Sequence, residues 1–282
     1  MLTHKTIALV GAGGKMGRRI WPNLKKFGYT FLGCEKDEAG LAALTGDGIE
    51  AINTQDGVQR ADIVILAVPD AALPDLSEKV VSLLKPGTLV ITLDPAAARA
   101  GKLATREDCT FIVTHPCHPP LFGDRDTEEE KADLFGGKAA RQDIVMALIK
   151  GREEDMALAE TLCRHMFNPV ENCHRITVEQ MAILEPAAAE VVVALCATVM
   201  KEALDESIRR GVPEEAARAF LLGHIQIPLA IVFKSSNPFS DAAQIAVDYG
   251  RRHVLREDWK TVFEPEKIQE VLAEMLHLKQ VP

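Results

Sequence analysis

The stretch from Thr6 to Ile20, TIALVGAGGKMGRRI, decides the fold. "TIALV" (6–10) is a short β-rich run, "GAGGKMG" (11–17) is a glycine-rich turn, and a helical pattern follows to about Gly28. A strand, a glycine turn and a helix start, in that order, make a cradle for a dinucleotide pyrophosphate. The absent side chains let the backbone come close, and the helix start offers free N–H groups at the positive end of its dipole. The spacing reads G-x-x-G-x-x-G through Gly11, Gly14 and Gly17, with Gly13 as an additional glycine. Gly11, Gly13, Gly14, Lys15, Met16 and Gly17 are therefore candidate cofactor-binding residues.

Further strands are read at "YTFLGCE" (29–35), "ADIVILAVPD" (61–70), "GTLVITLD" (87–94) and "CTFIVTH" (109–115), with helical stretches such as 72–87 between them. Near-continuous apolar strands alternating with helices predict a Rossmann-type, doubly wound parallel sheet covered on both faces. "AARQDIVMALIKG" (139–151) reads as a further strand, 153–167 as a helix, and "ENCHRIT" (171–177) closes the sheet. Beyond this point the texture turns helical: 178–211 has no turn signal, Val212-Pro213 starts a run to about Lys234, and two more helices fall near 239–250 and 264–278. Two domains are expected, a nucleotide-binding domain over 1–174 and an all-helical domain over 175–282.

In such a sheet Glu35 ends the second strand, where a carboxylate accepts hydrogen bonds from the ribose hydroxyls and repels a 2′-phosphate, so NAD is expected over NADP. Val68 and Pro69, in the turn that ends the 61–70 strand, should run beside the cofactor. The net charge of −9, with 32 basic residues spread along the chain, excludes nucleic acid and anionic membranes as natural partners. Six cysteines without framework spacing suit reduced thiols and a cytoplasmic location.

"THPCHPPLF" (114–122) leaves the 109–115 strand toward the crevice where doubly wound sheets bind ligands. Three readings stay open: a rigid proline crossover; His115 as the general base of a hydride transfer; or His115 as a metal ligand, with His118 or Cys117 assisting. The apolar helix "MAILEPAAAEVVVALCATVM" (181–200) carries Glu185 and Glu190, and those charges with Pro186 argue against a membrane span. A helix apolar all round is expected to be buried, and Pro186 is expected to kink it. Glu185 on its apolar stripe then needs a partner, for which His115 and a shared divalent cation, Zn or Mg, are the candidates. His224 on the next helix is a candidate substrate contact. So much apolar helix surface in about 110 residues predicts a homodimer.

The glycine loop followed by a helical half resembles the 6-phosphogluconate dehydrogenase-like superfamily. "THPCHPPLF", "FGGKAARQDIVMALIKGREED" (135–155), "TVEQMAILEP" (177–186) and "RRGVPEEAARAFLLGH" (209–224) resemble the D-apionate oxidoisomerases more closely. His115 also holds the place of the catalytic histidine of 3-hydroxyacyl-CoA dehydrogenases. The resemblance implies NAD-dependent oxidation of a branched sugar acid coupled to a carbon-skeleton rearrangement, with His115, His118 and Glu185 as catalytic residues. The alternatives are a plain hydroxyacid dehydrogenase with His115 as base, and a nucleotide-sensing protein without turnover. One departure is plain: the 178–200 helix has no lysine, where β-hydroxyacid dehydrogenases keep their catalytic one.

Overall fold

In a computed structural model that describes residues 4–49, 51–234 and 237–278, the run TIALV forms β1 (Thr6–Val10) and its neighbours build outward from it. In chain order the first unit continues with α1 (Gly17–Lys26), β2 (Thr30–Cys34), α2 (Glu38–Gly46), β3 (Ala51–Ile52), α3 (Thr54–Arg60), β4 (Ile63–Leu66) and α4 (Leu73–Val81). Then come β5 (Leu89–Thr92), α5 (Ala96–Arg99), β6 (Thr110–Pro116), α6 (Glu128–Ala132), β7 (Gln142–Lys150), α7 (Asp155–Met166), β8 (Val170–Arg175) and α8 (Val178–Ala182). The eight strands form one sheet in the order β3-β2-β1-β4-β5-β6-β7-β8. The order reverses between β1 and β4, which puts the ligand crevice at their C-terminal ends. Ile7, Leu9, Ile63, Ile65, Ile91 and Ile112 are fully buried at the centre of this sheet. Each such side chain contributes about 1.5–3 kcal/mol of transfer free energy.

Two features depart from the all-parallel reading. The two-residue β3 pairs with β2 at the edge, too short to leave a periodic signal. β7 runs antiparallel to β6, pairing His115 with Val145 and Thr114 with Met146. The connection, residues 117–141, is long enough for a parallel crossover, so its length does not set the direction; it forms only the five-residue α6. The reversal brings the start of β7 to the same edge as the end of β6.

Two compact units divide the chain: Met1–Leu184 with Gln269–Pro282, and Glu185–Ile268. One unbroken helical run, Val178–Arg209, passes through the boundary. It starts at a capping box in which the Thr177 hydroxyl accepts from the Gln180 N–H and the Gln180 side chain accepts from the Thr177 N–H. Pro186 does not end the run, which widens to π-helix over Ile183–Ala194, a spacing that accommodates the lost N–H and the crowded ring.

The second unit consists of the rest of that π segment, α9 (Leu195–Arg209), α10 (Glu214–Lys234), α11 (Asp241–His253) and a short 3₁₀ turn (Trp259–Phe263), and α12 (Pro265–Met275) begins in it. Here the expectation of a buried helix fails. Val193 and Leu195 are 64% and 57% exposed, as are Phe220, Ile227 and Phe233 at 66%, 56% and 72%. Eighty-odd residues arranged as a few helices cannot cover both faces of each other.

Candidate functional site

The glycine loop is locked by three close approaches. Gly11 has φ +81°, and a Cβ there would lie 2.4 Å from the Ala67 carbonyl oxygen. A Cβ on Gly13 would fall 2.2 Å from the Gly40 carbonyl oxygen and one on Gly17 2.2 Å from the Gly11 carbonyl oxygen, whereas at Gly14 the nearest atom would be 3.2 Å away. Gly13, additional in the spacing, is thus needed by the packing as Gly11 and Gly17 are, because α2 starts directly against it. Glu35 closes this corner. Its carboxylate accepts from the Gly13 N–H at 3.2 Å and from the Lys36 and Asp37 N–H groups at 2.8 and 3.2 Å. A negative charge is therefore fixed at the end of β2, facing the loop. Val68 lies against Gly11 on the other side, in the turn after β4 that also holds Pro69.

Lys15 and Arg19 project from this loop and α1 over the ring of Phe135, with Lys15 Nζ 5.3 Å and Arg19 Cζ 4.5 Å from its centroid. Met16 is half-buried and packs against the main core.

His115 stands at the end of β6. Its Nδ1 lies 2.9 Å from the Leu93 carbonyl oxygen. A carbonyl only accepts, so Nδ1 carries the proton and Nε2 is left with a free lone pair. Burial pushes the His115 pKa below its usual value. The Leu93 hydrogen bond and the Asp94 carboxylate oppose that shift, and His118 adds to it. The imidazole is therefore neutral at pH 7. Asp94, at the end of β5, offers a carboxylate oxygen within 4.8 Å of a His115 ring nitrogen. Its other role is local: it accepts from the Ala96 N–H at 2.7 Å, holding the start of α5. Asp94 escaped the sequence reading. The available signal was "TLD" (92–94), a carboxylate one strand away from His115 at the same edge.

His118 meets His115 edge-on, with ring centroids 6.2 Å apart at 84°. Its backbone takes φ +63°, a left-handed conformation that side-chain-bearing residues rarely adopt. Its Nδ1–H donates to the Phe135 carbonyl at 2.8 Å. Cys117 is exposed at the surface, and desolvation and the nearby Asp143 carboxylate push its thiol up to about 11, which disfavours it as a nucleophile but not as a metal ligand, since a coordinating metal displaces the thiol proton.

Glu185 and His224 belong to the second unit. Glu185 is its first residue, half-buried, on the helical run that leaves α8. His224 is exposed, not buried. It stacks on Phe220 at 3.9 Å and donates from Nδ1 to the Phe220 carbonyl of its own helix, so the burial argument for it does not hold within this chain.

Residues 123–276 match the phosphogluconate dehydrogenase (decarboxylating) C-terminal family, and residues 6–95 match the coenzyme F420-dependent NADP oxidoreductases. A D-apionate oxidoisomerase of Pectobacterium atrosepticum is 45% identical over 98% of both chains. One from Rhizobium rhizogenes is 47% identical over 93% of this chain and 96% of its own. Among solved structures, a semialdehyde dehydrogenase NAD-binding protein from Cupriavidus necator, in complex with calcium and NAD, superposes with a TM-score of 0.92. It is 44% identical and covers 96% of this chain and 99% of its own. With 45–47% identity and near-complete coverage on both sides, the chain belongs to the D-apionate oxidoisomerase family, within the 6-phosphogluconate dehydrogenase-like superfamily.

Proposed function

We propose that this chain uses NAD to oxidise the 2-hydroxyl of a branched sugar acid, D-apionate, and rearranges the carbon skeleton to 3-oxo-isoapionate. The observation that carries the reading is His115: a neutral imidazole with a free Nε2, beside Asp94, at the crevice end of the sheet. The names of the curated relatives and the NAD held by the solved neighbour support it.

Glu185, the carboxylate on the apolar stripe of the helical run, is the proposed third partner of this pair. One imidazole and two carboxylates suit a divalent cation such as Zn or Mg, and the carboxylates alone would suit a hard ion such as the neighbour's calcium. His115, Asp94 and Glu185 would hold such a cation, which would supply Lewis-acid polarisation of the substrate, and NAD would supply the hydride acceptor. His118, beside His115, is the proposed acceptor of the hydroxyl proton. Lys15, Met16 and the glycine loop bind the pyrophosphate, and Glu35 selects NAD. The helical part, 175–282, supplies the substrate side and the dimer contact, with His224 as a substrate contact, and the free cysteines suit a cytoplasmic enzyme.

A second reading has its own support. The depressed His115 pKa equally suits a general base, which makes a plain hydroxyacid dehydrogenase without rearrangement. Incubation with NAD and D-apionate, following NADH by absorbance and the product skeleton by NMR, separates the two. A rearranged skeleton whose formation a chelator abolishes supports the metal-assisted oxidoisomerase. NADH with an unrearranged 2-keto acid supports the plain dehydrogenase.

A further inference from the structure

Phe135 is 49% exposed, yet its backbone is firmly held. The Asp133 carboxylate accepts from the N–H groups of Lys138, Ala139 and Ala140 at 2.9–3.1 Å. Asn23 donates to the Gly137 carbonyl at 2.9 Å, and Gly136 and Gly137 take left-handed turns at φ +74° and +84°. A large apolar ring displayed on a pinned loop has a cost in water, and here each side of it is used. Its face carries the two cations, Arg19 at 4.5 Å and Lys15 at 5.3 Å. The His118 ring meets it at 5.9 Å and 85°, and its carbonyl takes the His118 Nδ1–H. His118 in turn stands edge-on to His115. The strained left-handed backbone of His118 persists only because its surroundings hold it.

We propose that Phe135 is a positioning residue that couples the glycine-loop cations Lys15 and Arg19 to His118 and so holds the His118 imidazole against His115. The proposal rests on the reading of the glycine loop as the cofactor site and of His118 as a proton acceptor. Phe135→Leu keeps apolar bulk but removes the ring face and edge, and Phe135→Tyr keeps both. Two readouts need no substrate: NADH affinity by fluorescence, and the His118 imidazole NMR resonance, assigned by its loss in His118→Asn. In Phe135→Leu, NADH affinity falls about two- to fivefold, the size of an exposed cation–π contact, and the His118 resonance moves. Phe135→Tyr keeps wild-type values. Turnover adds a third arm: Phe135→Leu lowers kcat in the wild-type background and lowers it no further in His118→Asn. The proposal is overturned if Phe135→Leu leaves NADH affinity and the His118 resonance unchanged, if Tyr is as damaging as Leu, or if the kcat losses multiply. A wild-type enzyme inert on the sugar acid sinks the functional reading, while the two substrate-free arms still decide Phe135.

Discussion

A single imidazole sets the chemistry available at the crevice. Burial is the largest influence on His115 and acts to lower its pKa, so the neutral form dominates down through the pH range where a free histidine would already be half charged. The sign follows for both activity and stability. A group whose folded-state pKa is depressed resists protonation, so activity that needs its lone pair survives below pH 6.5 and is lost only as pH falls through the lower value. The unfolded chain takes up that proton first, so folding stability declines as pH drops below about 6.5. The His115 imidazole, followed by NMR, should titrate with its midpoint below 6.5, and a midpoint above 6.5 would overturn this account of its environment. Glu35 is the other residue with a separable role. Its carboxylate is held by three N–H groups at the corner where a 2′-phosphate would sit. Glu35→Ala should narrow the NAD preference at least about tenfold, a modest share of the energy at stake in removing a fixed charge. Wild-type efficiency with NADP equal to that with NAD would reject the role. His115 and Glu35 were legible in the sequence because each ends a strand whose apolar run is unmistakable. Asp94 and Phe135 were not: the first looks like an ordinary helix cap after a strand, and the second acts through a loop whose shape no periodicity records.

Elements carry the site as much as residues do. The strands were readable because parallel strands buried on both faces must be apolar throughout, and Ile7, Ile63, Ile91 and Ile112 are. The antiparallel β7 was read as a strand but not as a reversal, since the apolar pattern of a strand does not report its direction. The run Val178–Arg209 was legible as a helix, whereas its π segment was not, because periodicity does not report hydrogen-bond spacing. That segment matters for the metal reading. Glu185 sits near its start, one turn beyond the buried Met181. Glu185→Gln keeps the size and loses the charge. It should weaken binding of Mg or Mn, measured by calorimetry on the NAD-loaded protein, at least about tenfold, as expected when a carboxylate ligand is removed. Asp94→Asn should act in the same direction. Unchanged metal affinity in both variants would remove the cation from the scheme and leave His115 as a base.

At the scale of the whole molecule, the exposed apolar surface of the second unit has to be explained. Val178–Arg209 and Glu214–Lys234 are long and apolar enough to cross a membrane by length and composition, with mean hydropathy 1.8 and 1.6 over their most apolar stretches. A span is disfavoured by Pro186 and by two carboxylates, Glu185 and Glu190, within the first of them. A second copy of the chain is the cover we propose for these helices. Val193, Leu195, Phe220, Leu222, Ile227 and Phe233 are each more than half exposed, and they sit on long helices that can pair across a two-fold axis. A standard interface buries about 800 Å² per partner. Sedimentation at micromolar concentration should give roughly twice the 30.8 kDa chain mass. Ile227→Glu, which places a charge where the partner helix would pack, should raise the dimer dissociation constant at least about a hundredfold, since burying an unpaired carboxylate costs several kcal/mol. The same variant should lose turnover only in proportion to the dimer lost, because Ile227 is not among the groups assigned to chemistry. A monomer for the wild-type chain in detergent-free buffer would reject the dimer, and a chain soluble only with detergent or lipid would instead return the two helices to the membrane reading.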